Sequence, residues 1–153
     1  MKITDFLDAD RIIPNLRGTD KNAILKEMAE WVASHDQFID AQKLLEVLLK
    51  REKVSSTAIG EGVAIPHGKM PGVQRVSGVF ALSPQGVNFN SLDGELTYFF
   101  FLLIAPEDSA ADHLKALARI ARLLKDSAFR ARLMQGKTRE EIFNTIKEED
   151  EKL

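Results

Sequence analysis

The chain has 153 residues, with 21 Lys plus Arg against 23 Asp plus Glu and a formal charge of -2. That length supports one sizeable core, and a make-up of 44% apolar and 29% charged residues excludes a disordered, collagenous or membrane-embedded protein. The near-neutral balance argues against a nucleic-acid binder, and the lack of cysteine rules out disulfides, thiolate metal sites and a Cys nucleophile, which fits a reducing cytoplasm.

The N-terminal stretch from Met1 to Asp8 has no apolar signal-peptide core. Thr19 and Asp20 then offer a cap to a helix with Ile24, Leu25, Met28 and Val32 on one side, and a second helix is predicted from Ala41 to about Lys50, with Leu44, Leu45, Leu48 and Leu49 inward. Between Val54 and Gly72, small and β-branched residues with Pro66 and Pro71 predict short strands and a tight loop. Val76 to Leu82 reads as a strand, Ser83-Pro84-Gln85-Gly86 as a turn into a partner strand Val87 to Phe89, and Leu92 to Glu95 as another turn. The run Thr97 to Ala105 lacks polar alternation, which predicts a central strand covered on both faces; at this length it is far short of the roughly 18 residues that span a bilayer.

Ser109-Ala110-Ala111-Asp112 has the form of a capping box, followed by His113, Leu117, Ile120 and Leu124 at helical spacing. A short helix around Phe129 to Met134 and a last one capped by Thr138, with Ile142, Phe143 and Ile146 inward, complete the chain. The basic stretch from Lys115 to Arg139 and the acids from Glu140 to Glu151 read as a solvated helical face and an acidic tail. With no internal repeat or linker, residues 1–153 are predicted to form a single α/β domain, a mixed sheet of about five strands flanked by helices.

Candidate chemistry centres on Gly60-Glu61-Gly62-Val63-Ala64-Ile65-Pro66-His67-Gly68-Lys69, where a strand stops at a proline and presents an imidazole, with Gly68 expected to turn the backbone sharply. A P-loop is excluded, since its pattern needs Gly at 63 and Ser or Thr at 70, where the chain has Val63 and Met70. Neither Ser55 nor Ser56 lies in a nucleophile elbow. His113, in the first turn of a helix, faces inward where the helix end favours a neutral ring beside a bound anion. Arg51 closes an apolar helix, where a cation suits the C-terminus. A metal site from His67 and His113 lacks a third ligand.

The stretch from Arg51-Glu52 through Ser56-Thr57-Ala58-Ile59 to His67-Gly68-Lys69 resembles the active-site signature of the enzyme IIA domains of the bacterial phosphoenolpyruvate-dependent sugar phosphotransferase system, fructose/mannitol class. Phe89 to Glu95, the strand ending Ala105-Pro106-Glu107 and the His113 helix extend the likeness over essentially the whole chain, and the Ile65-to-Lys69 wording is most like the nitrogen-regulatory branch. The resemblance implies a phosphotransferase component, with His67 as the phosphorylated nucleophile and Arg51 and His113 as site partners. It also implies a histidine-phosphocarrier protein as donor, an enzyme IIB or regulatory protein as target, and no cofactor, metal or nucleic acid. Gly62, Val63, Ile65, Gly68 and Met70 are expected to offer the target an apolar surface.

Overall fold

The computed structural model describes residues 1–153. Two 3-10 turns, Ile3–Asp5 and Ala9–Arg11, lead into β1 (Ile12–Ile13), α1 (Lys21–His35) and α2 (Ala41–Val54). Then come β2 (Ala58–Gly60), β3 (Val63–Ala64), β4 (His67–Met70), β5 (Ser77–Val87) and β6 (Thr97–Pro106), followed by α3 (Ala110–Leu124), α4 (Ser127–Gln135) and α5 (Arg139–Glu151). The helix starts follow from side chains that satisfy free N–H groups. Asp20 accepts from Ala23, Asp40 from Gln42 and Lys43, Asp126 from Phe129, and Thr138 from Glu141. Ser109 departs from the expected capping box: its hydroxyl turns back to the Pro106 carbonyl at 3.3 Å instead of bonding into α3.

The sheet runs β1-β5-β6-β3-β2, with β4 in line after β3 along the same edge of β6. It therefore has five positions across and six strands, because one strand is interrupted at Ile65-Pro66. Pro66 has no N–H to give the ladder, though its carbonyl still accepts from the Leu103 N–H at 2.9 Å, while the Ile65 N–H faces the β2 side and donates to the Thr57 carbonyl at 3.0 Å. β6 pairs with β5 antiparallel and with β3 and β4 parallel. It is buried along its length except at Tyr98, and its side chains alternate between two cores. Phe99, Phe101, Leu103 and Ala105 pack with Ile120, Phe129 and Ile142 from α3, α4 and α5, while Phe100, Leu102 and Ile104 pack with Ile24, Met28, Leu44 and Leu48 from α1 and α2. Helices on both faces are what an uninterrupted apolar strand requires, each buried Phe contributing about 2 to 3 kcal/mol. No helix is long and apolar enough to cross a membrane.

Three local expectations are corrected. Ser83 to Gly86 is no hairpin turn: β5 continues through it, and the register with β6 jumps from Leu82↔Phe99 to Val87↔Thr97. The extra residues are taken up as an irregularity opposite Tyr98, whose ring lies where a Cβ on Gly86 would be, at 2.7 Å. Gly68 makes no sharp turn either, since it lies within β4; it is glycine because a Cβ there would meet Val47 Cγ1 of α2 at 2.5 Å. Finally, the acidic end of α5 is not wholly solvated. Asp150 is buried, accepting from the Ile3 N–H at 2.9 Å and from Arg119 Nε at 2.7 Å, so it ties the N-terminus and α3 to α5.

Candidate active site

His67 is the first residue of β4, opposite Leu103 on β6. No strand pairs with the outer edge of β4, so helices on both faces of the sheet can reach the same ring. Its Nδ1 lies 2.8 Å from the Ile65 carbonyl, and a carbonyl can only accept, so Nδ1 carries the proton and Nε2 holds the lone pair. Arg51, in the last turn of α2, donates from Nε to that lone pair at 3.3 Å and from a terminal nitrogen to the Ser55 carbonyl at 2.9 Å. The ring is half-buried, not fully presented to solvent. Burial is the main force lowering its pKa; the bond to Ile65 works against this, the Arg51 charge adds to it, and the Glu52 charge opposes it.

His113 enters from α3, its ring edge-on to that of His67 with centroids 5.4 Å apart. It is 6% exposed, and its buried Nδ1 has no hydrogen-bond partner. Its pKa is lowered to about 4, first by burial and then by the nearby His67 and Lys69 charges, so the ring is neutral at physiological pH. The fold thus brings together His67, Arg51 and His113, three residues far apart in sequence. Two neutral imidazoles and a guanidinium form a cluster suited to a dianion, with one imidazole lone pair as nucleophile. No three His, Asp or Glu side chains gather as metal ligands would.

Other contributors escaped the reading of the sequence. Glu52 is buried beneath the site, its carboxylate accepting from the Thr57 N–H at 3.0 Å and from the Thr57 hydroxyl, and paired with Lys21 Nζ at 2.9 Å. One signal was available: with Leu44 and Leu48, Glu52 continues the buried i, i+4 stripe of α2, where a charge demands partners. Glu61 has φ of +55°, unusual for a side chain with a Cβ, and lies between Gly60 and Gly62, both also left-handed. Two contacts hold it there. Asp93 accepts from its N–H at 2.9 Å, and Arg130 of α4 pairs with its carboxylate at 3.1 Å. The Asp93 carboxyl is in turn held below its usual pKa by the Glu61 N–H, then by the Glu95 N–H and the Ser91 hydroxyl.

The expected apolar surface is corrected: Gly62, Val63, Ile65 and Met70 are buried, since strand residues next to β6 turn their side chains into the two cores. The exposed apolar side chains near the site residues in sequence are Val54, 80% exposed at the end of α2, and Leu114, 66% exposed beside His113. His35 is exposed and stacks on Trp31, away from the site residues in sequence.

A half-buried histidine with one nitrogen tethered to a backbone carbonyl and the other facing an arginine, on a mixed sheet between helix layers, makes an α/β protein with a site suited to a phosphoryl group. Comparison with known proteins shows the family. Residues 5–149 match the family model described as phosphoenolpyruvate-dependent sugar phosphotransferase system, EIIA 2. A nitrogen regulatory protein of Bradyrhizobium diazoefficiens is 42% identical over 146 residues, which is 95% of each chain. The fructose-specific EIIABC component of Bacillus subtilis is 35% identical over 150 residues, covering 98% of this chain but 24% of that one. The crystal structure of the nitrogen regulatory protein IIA-Ntr from Neisseria meningitidis superposes with a TM-score of 0.87 at 28% identity, covering 94% of this chain and 98% of that one. The chain belongs to the phosphotransferase-system EIIA family, close to its nitrogen-regulatory and fructose/mannitol branches, whose members are phosphoryl carriers acting through a histidine.

Proposed function

We propose that residues 1–153 act as one carrier unit in which Nε2 of His67 accepts a phosphoryl group from the phosphohistidine of a histidine-phosphocarrier protein. The observation that carries this reading is the pair of bonds on the His67 ring: Nδ1–H to the Ile65 carbonyl and the Nε2 lone pair to Arg51. The lone pair attacks phosphorus in line with the donor's P–N bond. As the Nε2–P bond forms, the donor's P–N bond breaks and its electron pair returns to the donor imidazole, which leaves as a neutral ring because its other nitrogen carries a proton, so the transfer itself moves no proton.

The transition state spreads charge over three equatorial oxygens, and the protein's task is to place and neutralise them. Arg51 covers the nucleophile in the resting site and must release it; its planar fork then serves the phosphoryl oxygens. His113, neutral and with a nitrogen in want of a partner, supplies a further contact to those oxygens when its tautomer presents N–H. The charge this phosphate adds to His67 alters what can dock there: an enzyme IIB, or a regulatory target that reads the phosphorylation state. The 42% identity to a nitrogen regulatory protein over nearly the full length of both chains favours the regulatory output.

The test is incubation with phosphoenolpyruvate and the upstream phosphotransferase proteins. Wild type should take up one acid-labile, base-stable phosphate, and His67→Ala, still folded, none. Full uptake by the variant would refute the assignment.

A further inference from the structure

Two consecutive residues of α2 reach the two nitrogens of one imidazole. Arg51 does so directly, with Nε donating to Nε2 of His67. Glu52 does so through the backbone. Its carboxylate accepts from the Thr57 N–H at 3.0 Å, the Thr57 carbonyl accepts from the Ile65 N–H at 3.0 Å, and the Ile65 carbonyl lies 2.8 Å from Nδ1 of His67. The Thr57 hydroxyl gives the same carboxylate a second bond. The carboxylate is 4% exposed, and Lys21 Nζ, 2.9 Å away and stacked over the Phe89 ring at 4.7 Å, balances its charge. A balanced buried carboxylate can sit this close to a phosphoryl site without repelling its dianion outright.

We propose, on the basis of the function given above, that Glu52 is a positioning residue for phosphoryl transfer. Through the peptide groups of Thr57 and Ile65 it holds His67 in the orientation and tautomer that leave Nε2 as the lone pair. The two backbone bonds fix the direction of the Ile65 carbonyl that holds Nδ1–H, and the Glu52 charge acts through space on the same ring, raising the basicity of its free nitrogen. A carboxylate behind a functional histidine, oriented through its second nitrogen, is a general means of fixing a ring and raising the basicity of the other nitrogen. Here the backbone of two residues, Thr57 and Ile65, intervenes. The path exists because Ile65 continues the antiparallel register of Ala64 opposite Ala58, which turns its N–H towards Thr57.

The experiment uses the full chain with ¹⁵N-labelled histidines. NMR of the unphosphorylated protein reports the His67 tautomer and its protonation midpoint, and transfer from purified phosphocarrier is timed in parallel. Wild type should show Nδ1–H as the dominant neutral form. In Glu52→Gln the tautomers should mix, the midpoint should fall because a charge that raises it has gone, and transfer should slow roughly 10- to 100-fold, the range for loss of such supporting partners. Thr57→Val keeps the backbone bond and loses the hydroxyl; it should shift the same readouts in the same direction by less, and it carries the test if Glu52→Gln does not fold. A folded Glu52→Gln with unchanged tautomer and midpoint overturns the role, whether or not transfer slows, because a purely structural staple would leave both untouched. Wild type that takes up no phosphate refutes the proposed function and this role together, whereas active wild type with an indifferent Glu52→Gln refutes this role alone.

Discussion

Replacing His113 with Gln should remove a pH dependence of stability as well as a contact in the site. The native ring is 6% exposed and stays neutral, with its pKa pushed down to about 4, while in the unfolded chain histidine titrates near pH 6.5. The folded state thus binds this proton more weakly, so acid favours unfolding. The stabilisation is fully present above about pH 6.5 and drains away as pH falls towards about 4. By pH 5 the loss reaches about 2 kcal/mol for a ring wholly shielded from water, and about 1 kcal/mol allowing for screening at the mouth of the site. Gln does not titrate. Urea unfolding of wild type and His113→Gln at pH 7, 6 and 5 isolates the effect as a difference, cancelling His67, whose lowered pKa acts in the same direction. The variant's stability relative to wild type should rise by about 1 to 2 kcal/mol between pH 7 and 5. A difference constant over that range would show that the ring is not held neutral by burial.

Arg51→Ala should leave urea stability nearly unchanged, since its side chain bonds only His67 and the Ser55 carbonyl, yet slow phosphoryl uptake about 10²- to 10³-fold; Arg51→Lys, which keeps charge but not the fork, should recover only part of the rate in the same assay. Asp150→Ala should cost about 3 kcal/mol in urea unfolding, because it strips a buried acceptor from the Ile3 N–H and from the largely buried Arg119. Thr97→Val should be neutral or stabilising by up to about 1 kcal/mol in the same measurement, since the Thr97 hydroxyl is fully buried without a partner and Val fills the same shape.

Much of the architecture is legible along the chain because it is encoded locally. The unbroken apolar run ending at Pro106 can only be a strand covered on both faces, and Phe99, Phe100 and Phe101 alternate between two cores. Helical spacing and the caps at Asp20 and Thr138 place α1 and α5 for the same reason, that periodicity and capping involve neighbours within a turn. The motif around Pro66-His67 likewise points to a candidate site without reference to the rest of the chain.

Contacts between distant segments are not written in spacing. That His113 meets His67, and that Arg51 caps its Nε2, follow from β4 being an open edge reached from both faces of the sheet. Gly68 looked like a turn residue because a sequence lists its chain neighbours and not Val47, the neighbour that excludes a Cβ. Ser83 to Gly86 read as a hairpin because turn-forming residues do not reveal whether the following residues pair with the strand before them or stay in register with a third. Asp150 passed for a solvated charge and Glu52 was given no role, and only their buried partners, Arg119 and the Ile3 N–H for one and Lys21 and Thr57 for the other, give them their roles. The energy of a charge depends on the dielectric and the donors around it. Those are properties of the packed molecule, set by segments that meet only once the sheet has formed.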